Sequence, residues 1–495
     1  MTKQHELTNL GNKSIHMKKS IILILLMTLA LSGTAQDKQT DYTEALKLIE
    51  VWLDAQRDYD HLPGMSVIVV DDQEVLWSGA FGMANVENQV KATPSTLYSI
   101  CSISKLFTSV AIMKLYEEGK LRLDDEVDDL LPWYNLKQQF PDSWPITIRA
   151  LLTHSSGLPR ESNHPYWTGP DHPFPETESI KAELLKQETL YPSSTVFQYS
   201  NLGMTLLGEV VEVLSGMPYE EYVKLNILDP LNLHDTRTYL PEELHGSDLA
   251  VGYSSLNREG SREKVNLFQA KGITAAAGFS SNVSDLGKFA SWQFRLLDTT
   301  TTEILRPSTL KYMHNVHWTD PDWKTTWGLG FGVNKAEDGV KRVGHSGGCP
   351  GYITLFSMIP SRKRAYAVFT NGINSNPSVY VQGIHNILEK YKQEGKKDSG
   401  NDAVPELDEY TGYYHLLPWT NELYLAAWHN KLVMLSLPSK DPSESMTVLK
   451  YVGEDTFKRV RDDGELSETF EFIRDENGSI QKIKRHNNYF SRINK

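Results

Sequence analysis

Between Lys392 and Ala403 the chain reads Lys-Gln-Glu-Gly-Lys-Lys-Asp-Ser-Gly-Asn-Asp-Ala, a polar run without apolar period. A segment with nothing to bury joins folding units, so its two sides are read separately. From about Asp41 to Lys392, long amphipathic segments mix with short β-rich runs such as Met65-Ser-Val-Ile-Val-Val70 and Tyr352-Ile-Thr-Leu-Phe-Ser-Met358. The β-rich runs stand near both ends and helical patterns fill the middle. The economical solution is α+β: one antiparallel sheet assembled from both ends of the region and flanked by helices. Beyond Val404 the pattern changes to short strands, among them Glu422-Leu-Tyr-Leu-Ala-Ala, Lys431-Leu-Val-Met-Leu-Ser-Leu, Thr469-Phe-Glu-Phe-Ile and Ile480-Gln-Lys-Ile-Lys. A tight turn at Asp475-Glu-Asn-Gly478 joins the last two, and the tail is expected to form a small antiparallel β-barrel or sandwich with Trp419 and Trp428 exposed. The expected organisation is an upstream segment with a signal peptide over 1–35, a main domain over 41–392, a linker over 393–403 and a β-barrel over 404–495.

A chain of 495 residues, 40% hydrophobic, can bury a large core. Its formal net charge of −13 argues against nucleic acid or an anionic membrane as partner, because both demand concentrated Lys and Arg. Near the start, Met17-Lys-Lys is followed by an apolar run from Ile21 to Leu31 and by Gly33-Thr-Ala35, the pattern of a secretory signal peptide. That run is about half the ~20 residues of a spanning helix, so an exported protein without a stable membrane anchor after cleavage is expected, periplasmic or secreted. Cys101 and Cys349 are too few for a disulfide framework or a structural zinc site; buried, unpaired packing is their expected state, with pairing left open should the two segments that carry them meet. The histidines show no His-Glu-x-x-His arrangement, and no cofactor is expected.

The chemistry is read from Ser102-Ile-Ser-Lys105. A serine and a lysine three apart on a helix share one face, so the amine can take the proton of the alcohol. The same spacing recurs at Ser261 to Lys264, Ser308 to Lys311 and Ser479 to Lys482. Only Ser102 stands between an alternating stretch, Thr96 to Cys101, and a helical run that stops at Gly119. It therefore opens a helix, where free N–H groups and a partial positive charge suit an attacking alkoxide and the oxyanion that follows.

Two further segments complete a set of parts. Tyr199-Ser-Asn201 precedes the helical run Gly203 to Leu214, closed by Gly216. Beside cationic neighbours Tyr199 is expected to ionise well below its reference value of about 10 and to shuttle the serine proton. Asn201 is expected to hold a substrate amide, with an ordinary helix cap as the bland alternative. In Arg342-Val-Gly-His345-Ser346-Gly347-Gly348-Cys-Pro-Gly351 the glycines let a substrate approach as an added strand, with the Gly348 and Ser102 N–H groups as the oxyanion donors and His345 facing the substrate or the leaving group. His154 is read as loop framework.

In chain order, Ser102-x-x-Lys105, Tyr199-x-Asn201 and His345-Ser346-Gly347 resemble the three motifs of the penicillin-recognising serine hydrolases, especially class C beta-lactamases and related D-peptidases and esterases. Leu151-Leu-Thr-His-Ser-Ser-Gly-Leu-Pro159, the segment from Ala276 to Leu286, Trp327-Gly-Leu-Gly-Phe-Gly332 and Phe369-Thr-Asn-Gly372 are similar to the same family, and the tail is similar to its lipocalin-like barrels. The resemblance implies an all-helical lobe beside the sheet, an acyl-enzyme at Ser102, proton exchange between Lys105 and Tyr199, and substrate contacts from Asn201, His345, Ser346 and Gly347. The implied substrate is a small molecule or short peptide. One departure is chemical: such beta-lactamases carry lysine where this chain has His345, and a histidine near 6.5 is mostly neutral at pH 7. The expectation shifts toward an esterase or peptidase whose substrate lacks or hides a carboxylate. A class C-like beta-lactamase is the alternative, and an acylated sensor without turnover is the alternative from another class.

Overall fold

The structure is a computed structural model that describes residues 40–336, 338–395 and 404–495, with the backbone alone of Thr420 and Asn421. The segment read as a signal peptide and residues 396–403 of the expected linker lie outside the described residues. The described residues open with helix α1 (Thr43–Tyr59), followed by strands β1 (Gly64–Asp71), β2 (Glu74–Asn85), β3 (Val90–Lys91) and β4 (Tyr98–Ser99), and by helix α2 (Ser104–Glu117). A helical region contains α3 (Asn201–Ser215), and β5 (Ser280–Ser281) leads into α4 (Val283–Asp298). Strands β6 (Trp318–Thr319), β7 (Thr326–Trp327), β8 (Gly332–Lys335), β9 (Lys341–Cys349), β10 (Tyr352–Ile359) and β11 (Arg364–Thr370) follow, then helix α5 (Pro377–Gly395). Helix α5 carries three residues past Lys392, so the break begins later than its composition indicates.

The sheet is built from both ends of the region, in the order β3-β2-β1-β11-β10-β9-β8-β7-β6. Its centre joins β1 to β11 antiparallel, Met65 opposite Thr370 and Asp71 opposite Arg364. Strand β1 is apolar on both faces because both are covered. Ile68 and Val70 face a core shared with α2 and α4, whereas Val67 and Val69 face one shared with α1 and α5. Helix α2 is buried from Ser104 to Met113, and a helix enclosed all round has no solvent face to mark it as amphipathic.

The tail closes into an eight-stranded barrel from Gly412–Leu416 to Asn488–Ile493. In its strand Lys431–Leu437, Leu432 and Met434 point into the barrel while Val433, Leu435 and Leu437 pack on α1 and α5. Both faces of that strand are consumed. Trp428, expected at the surface, is fully buried in this junction, and its indole N–H donates to Glu394 at 2.6 Å. Trp419 is exposed as expected. The indole of Trp52 in α1 donates to the Ser439 carbonyl at 2.8 Å, and Lys390 in α5 donates to that of Ser443 at 2.8 Å.

Candidate active site

Cys101 takes a left-handed φ of +53°, and one 3-10 turn, Cys101–Ile103, feeds directly into α2. Ser102 therefore sits on a sharp strand-to-helix corner with Lys105 one turn on. Lys105 is fully buried and uses all three of its donors: Ser102 Oγ at 3.0 Å, Asn201 Oδ1 at 2.8 Å and the Ala276 carbonyl at 2.6 Å. Burial brings its pKa down to about 7, with Glu161 pulling up and Arg160 pushing down. Near neutral pH a sizeable fraction of the amine is thus unprotonated, with Ser102 Oγ in hydrogen-bond range.

Tyr199 comes from the turn before α3. Its ring has Lys105 Nζ on it at 5.0 Å and the Arg160 guanidinium at 4.9 Å, and its hydroxyl is near enough to Ser102 to be influenced by it. The expectation of a lowered Tyr199 pKa is overturned, because burial pushes it up and outweighs the help from Ser102 and Arg160. The aromatic rings of His154, Trp327 and His345 enclose it at 4.3, 6.4 and 6.1 Å. The phenol keeps its proton.

Ser200, not Asn201, caps α3, accepting from Gly203 N at 2.8 Å, and this turns Asn201 inward. Asn201 is 2% exposed, its oxygen is taken by Lys105 and one N–H goes to Glu161 Oε1 at 2.8 Å. Half of its bonding capacity is spent inside the protein, so the side chain orients Lys105 as much as it could meet a substrate. His154 belongs to the framework, as read: it accepts the Ser200 N–H at 3.2 Å while stacking on Tyr199.

Strand β9 brings the third segment against the Ser102 corner. At Gly347 a Cβ would lie 2.3 Å from the Ile100 carbonyl oxygen and 2.3 Å from Thr354 Oγ1, so only glycine lets strand and corner approach this closely. Strand β8 pairs with β9 only up to Gly344, which leaves the stretch from His345 to Cys349 without that neighbour on one edge. His345 Nδ1 donates to the Ser346 carbonyl at 2.5 Å, and burial with the Lys105 charge drives its pKa down to about 3. It is a neutral group. Cys101 and Cys349 are free and buried, with the Cys101 thiol facing Cys349.

Ser102, Tyr199, His345, Ser346 and Gly348 line one cavity of about 1080 Å³, with Arg160 at its wall. Two residues were missed in the sequence. Glu161 accepts from Asn201 Nδ2, from Trp167 Nε1 at 3.0 Å and from the Tyr166 hydroxyl, and pairs with Arg160 Nε at 3.2 Å. Both stand directly after the Leu151–Pro159 segment that carried part of the resemblance, and that adjacency was the available signal.

The Beta-lactamase family model matches residues 51–387. The chain belongs to that family. An unguisins hydrolase of Aspergillus campestris is 27% identical over 377 residues, 72% of this chain and 66% of the relative. Protein flp of Staphylococcus aureus is 29% identical over 194 residues, 39% of this chain and 38% of the relative. The chain thus spans just under two thirds of the first relative's length and well under half of the second's. Among solved structures, the octameric penicillin-binding protein homologue from Pyrococcus abyssi aligns over 90% of this chain and 99% of its own, with a TM-score of 0.61 and 27% identity. That alignment extends well past the part of the chain matched by the beta-lactamase family model.

Proposed function

We propose that this protein is a serine hydrolase that cleaves small amide or ester substrates, peptides with D-residues among them, through a covalent acyl-enzyme at Ser102. The observation that carries the reading is the 3.0 Å contact between Ser102 Oγ and the fully buried amine of Lys105, whose pKa burial brings down to about 7. Neutral Lys105 takes the Ser102 proton as Oγ attacks the carbonyl carbon. The charge that develops on the carbonyl oxygen is met by the backbone N–H groups of Ser102 and Gly348. As the C–N or C–O bond breaks, the Tyr199 hydroxyl hands its proton to the leaving group and regains one from Lys105, so Tyr199 acts as a protonated relay and not as a standing phenolate. Water then attacks the ester, giving up a proton along the same route. The hydrolase named among the relatives supports the reaction class. The unpaired edge of β9 supports a substrate laid alongside it as a strand.

A second reading, acylation without release, is favoured by one observation: burial keeps the Tyr199 phenol protonated, so it is not a standing phenolate that could draw a proton from the deacylating water. One experiment addresses both. A serine-directed phosphonate is expected to label the peptide containing Ser102, to lose that label in Ser102→Ala and to react about 100-fold more slowly in Lys105→Ala, within the usual span for a lost general base. Label retained in Ser102→Ala sinks the hydrolase reading. Intact-mass kinetics with an activated ester should show an adduct that decays, and a permanent adduct selects the second reading.

A further inference from the structure

The cavity does not end at the nucleophile. It continues over the outer face of β8, β9 and β10 to the polar side of α5 and to Asp441, which belongs to the barrel region. Alternation along β9 explains its shape: Val343 and His345 point toward the helical core, so Arg342, Gly344 and Ser346 point the other way. Opposite Gly344 and Ser346 on β10 stand Ser357 and Leu355, and the floor is therefore shallow-sided and mostly small. Ser378, Gln382 and Asn386 recur every four residues along α5 and form one wall about 12 Å long at 1.5 Å per residue, with Gln382 Nε2 bonded to Asn386 Oδ1 at 2.6 Å. A single small amide would leave most of this space empty.

The wall also holds a cation without an acceptor. Arg342 lines the cavity, and its Nε and Nη2 are buried with no hydrogen-bond partner among the described residues. Asp338, in the same cavity, feels the Arg342 charge without accepting a hydrogen bond from these two donors, and lies 3.9 Å from Arg362 and 3.5 Å from His385. Buried guanidinium donors left open are costly, and a carboxylate is the ligand whose two oxygens match that fork.

We propose that this groove is an extended subsite for a peptide-like chain whose carboxylate, remote from the scissile bond, pairs with Arg342. The inference rests on the reading of Ser102 as the nucleophile of an amide or ester hydrolase. It gives the barrel region a part in the site, since Asp441 lines the groove. It also assigns the anion recognition that neutral His345 does not supply to a different place on the same strand.

Binding tests the proposal without chemistry. Calorimetry on the full-length Ser102→Ala protein would use alanine tetrapeptides, of L and of D configuration, with a free or an amidated C-terminus. An amidated tetrapeptide with one internal glutamate separates a side-chain from a terminal carboxylate. At least one carboxylate-bearing peptide is expected to bind about 10-fold more tightly than its uncharged counterpart, the scale of one charge-assisted contact. Adding Arg342→Gln should shrink that ratio to about 2-fold or less. Equal binding of charged and uncharged peptides, or a ratio that survives Arg342→Gln, overturns the proposal. If Arg342→Gln fails to fold, Gln382→Trp serves in its place: filling the groove from α5 should weaken binding of the alanine tetrapeptide more than that of an alanine dipeptide of the same configuration, and equal losses overturn the proposal. Failure of the phosphonate label with peptide selectivity intact would instead remove the hydrolase reading and leave the groove.

Discussion

At the scale of single residues the site is governed by what enclosure does to ionisable groups. Lys105 is brought down to about 7 and His345 to about 3, both chiefly by burial. If the unprotonated amine is the base, kcat/KM for an uncharged ester rises with pH through about 7 as Lys105 loses its proton, and no inflection appears between pH 4 and 6 from His345. A flat profile from pH 6 to 9 would contradict this. Glu161 acts on the same titration in the opposite sense, since its carboxylate favours the charged lysine and also fixes the Asn201 amide. In Glu161→Gln the rise is expected at lower pH, while the plateau falls about 10-fold through looser positioning; a plateau loss without a pH shift would make Glu161 a packing residue only. Sequence made Ser102 and Lys105 legible because strand, helix start and spacing coincide there. It could not show the state of Tyr199, whose enclosing rings come from His154, Trp327 and His345, 45 to 146 positions away in the chain. Glu161 was hidden for the same reason, a loop carboxylate that reads as solvated until Asn201 and Trp167 close on it.

At the scale of elements, the fold brings a helix corner and a strand together with no room between them. Gly347→Ala would force the Ile100 carbonyl and Cys101 away from β9, at a cost of about 1–3 kcal/mol for an overpacked contact. The expected outcome is a lower Tm and loss of phosphonate labelling at Ser102. Full labelling in that variant would show that the corner tolerates displacement from the strand. The sheet was readable because β1 and β10 are apolar in runs too short for helices and lie at opposite ends of the region. The end of α5 was not, because Gln393-Glu-Gly395 is as polar as a linker and is carried in the helix by the turns before it. Trp428 was misread as exposed for a related reason: a barrel strand has an outer face, and nothing in the strand itself says that a helix covers it.

At the scale of the whole molecule, one apolar seam joins the two ends of the chain. Trp52 in α1 packs with Tyr380 in α5 and reaches the Ser439 carbonyl beyond the strand Lys431–Leu437. Trp52→Ala should destabilise by about 3–5 kcal/mol, the range for a large buried aromatic, and should lower the melting of sheet and barrel together in a single transition. Separate transitions in the wild-type protein would show that the seam does not couple them. The seam also sets a timetable for biosynthesis. A nascent chain makes α1 early, yet the hydrophobic surface of that helix meets its barrel partners only after residue 437 has left the ribosome. Until then an early-made helix waits with a greasy flank uncovered, a surface of the kind that chaperones shield, and the length of that wait is set by the distance in the chain between this helix and the barrel strands that cover it.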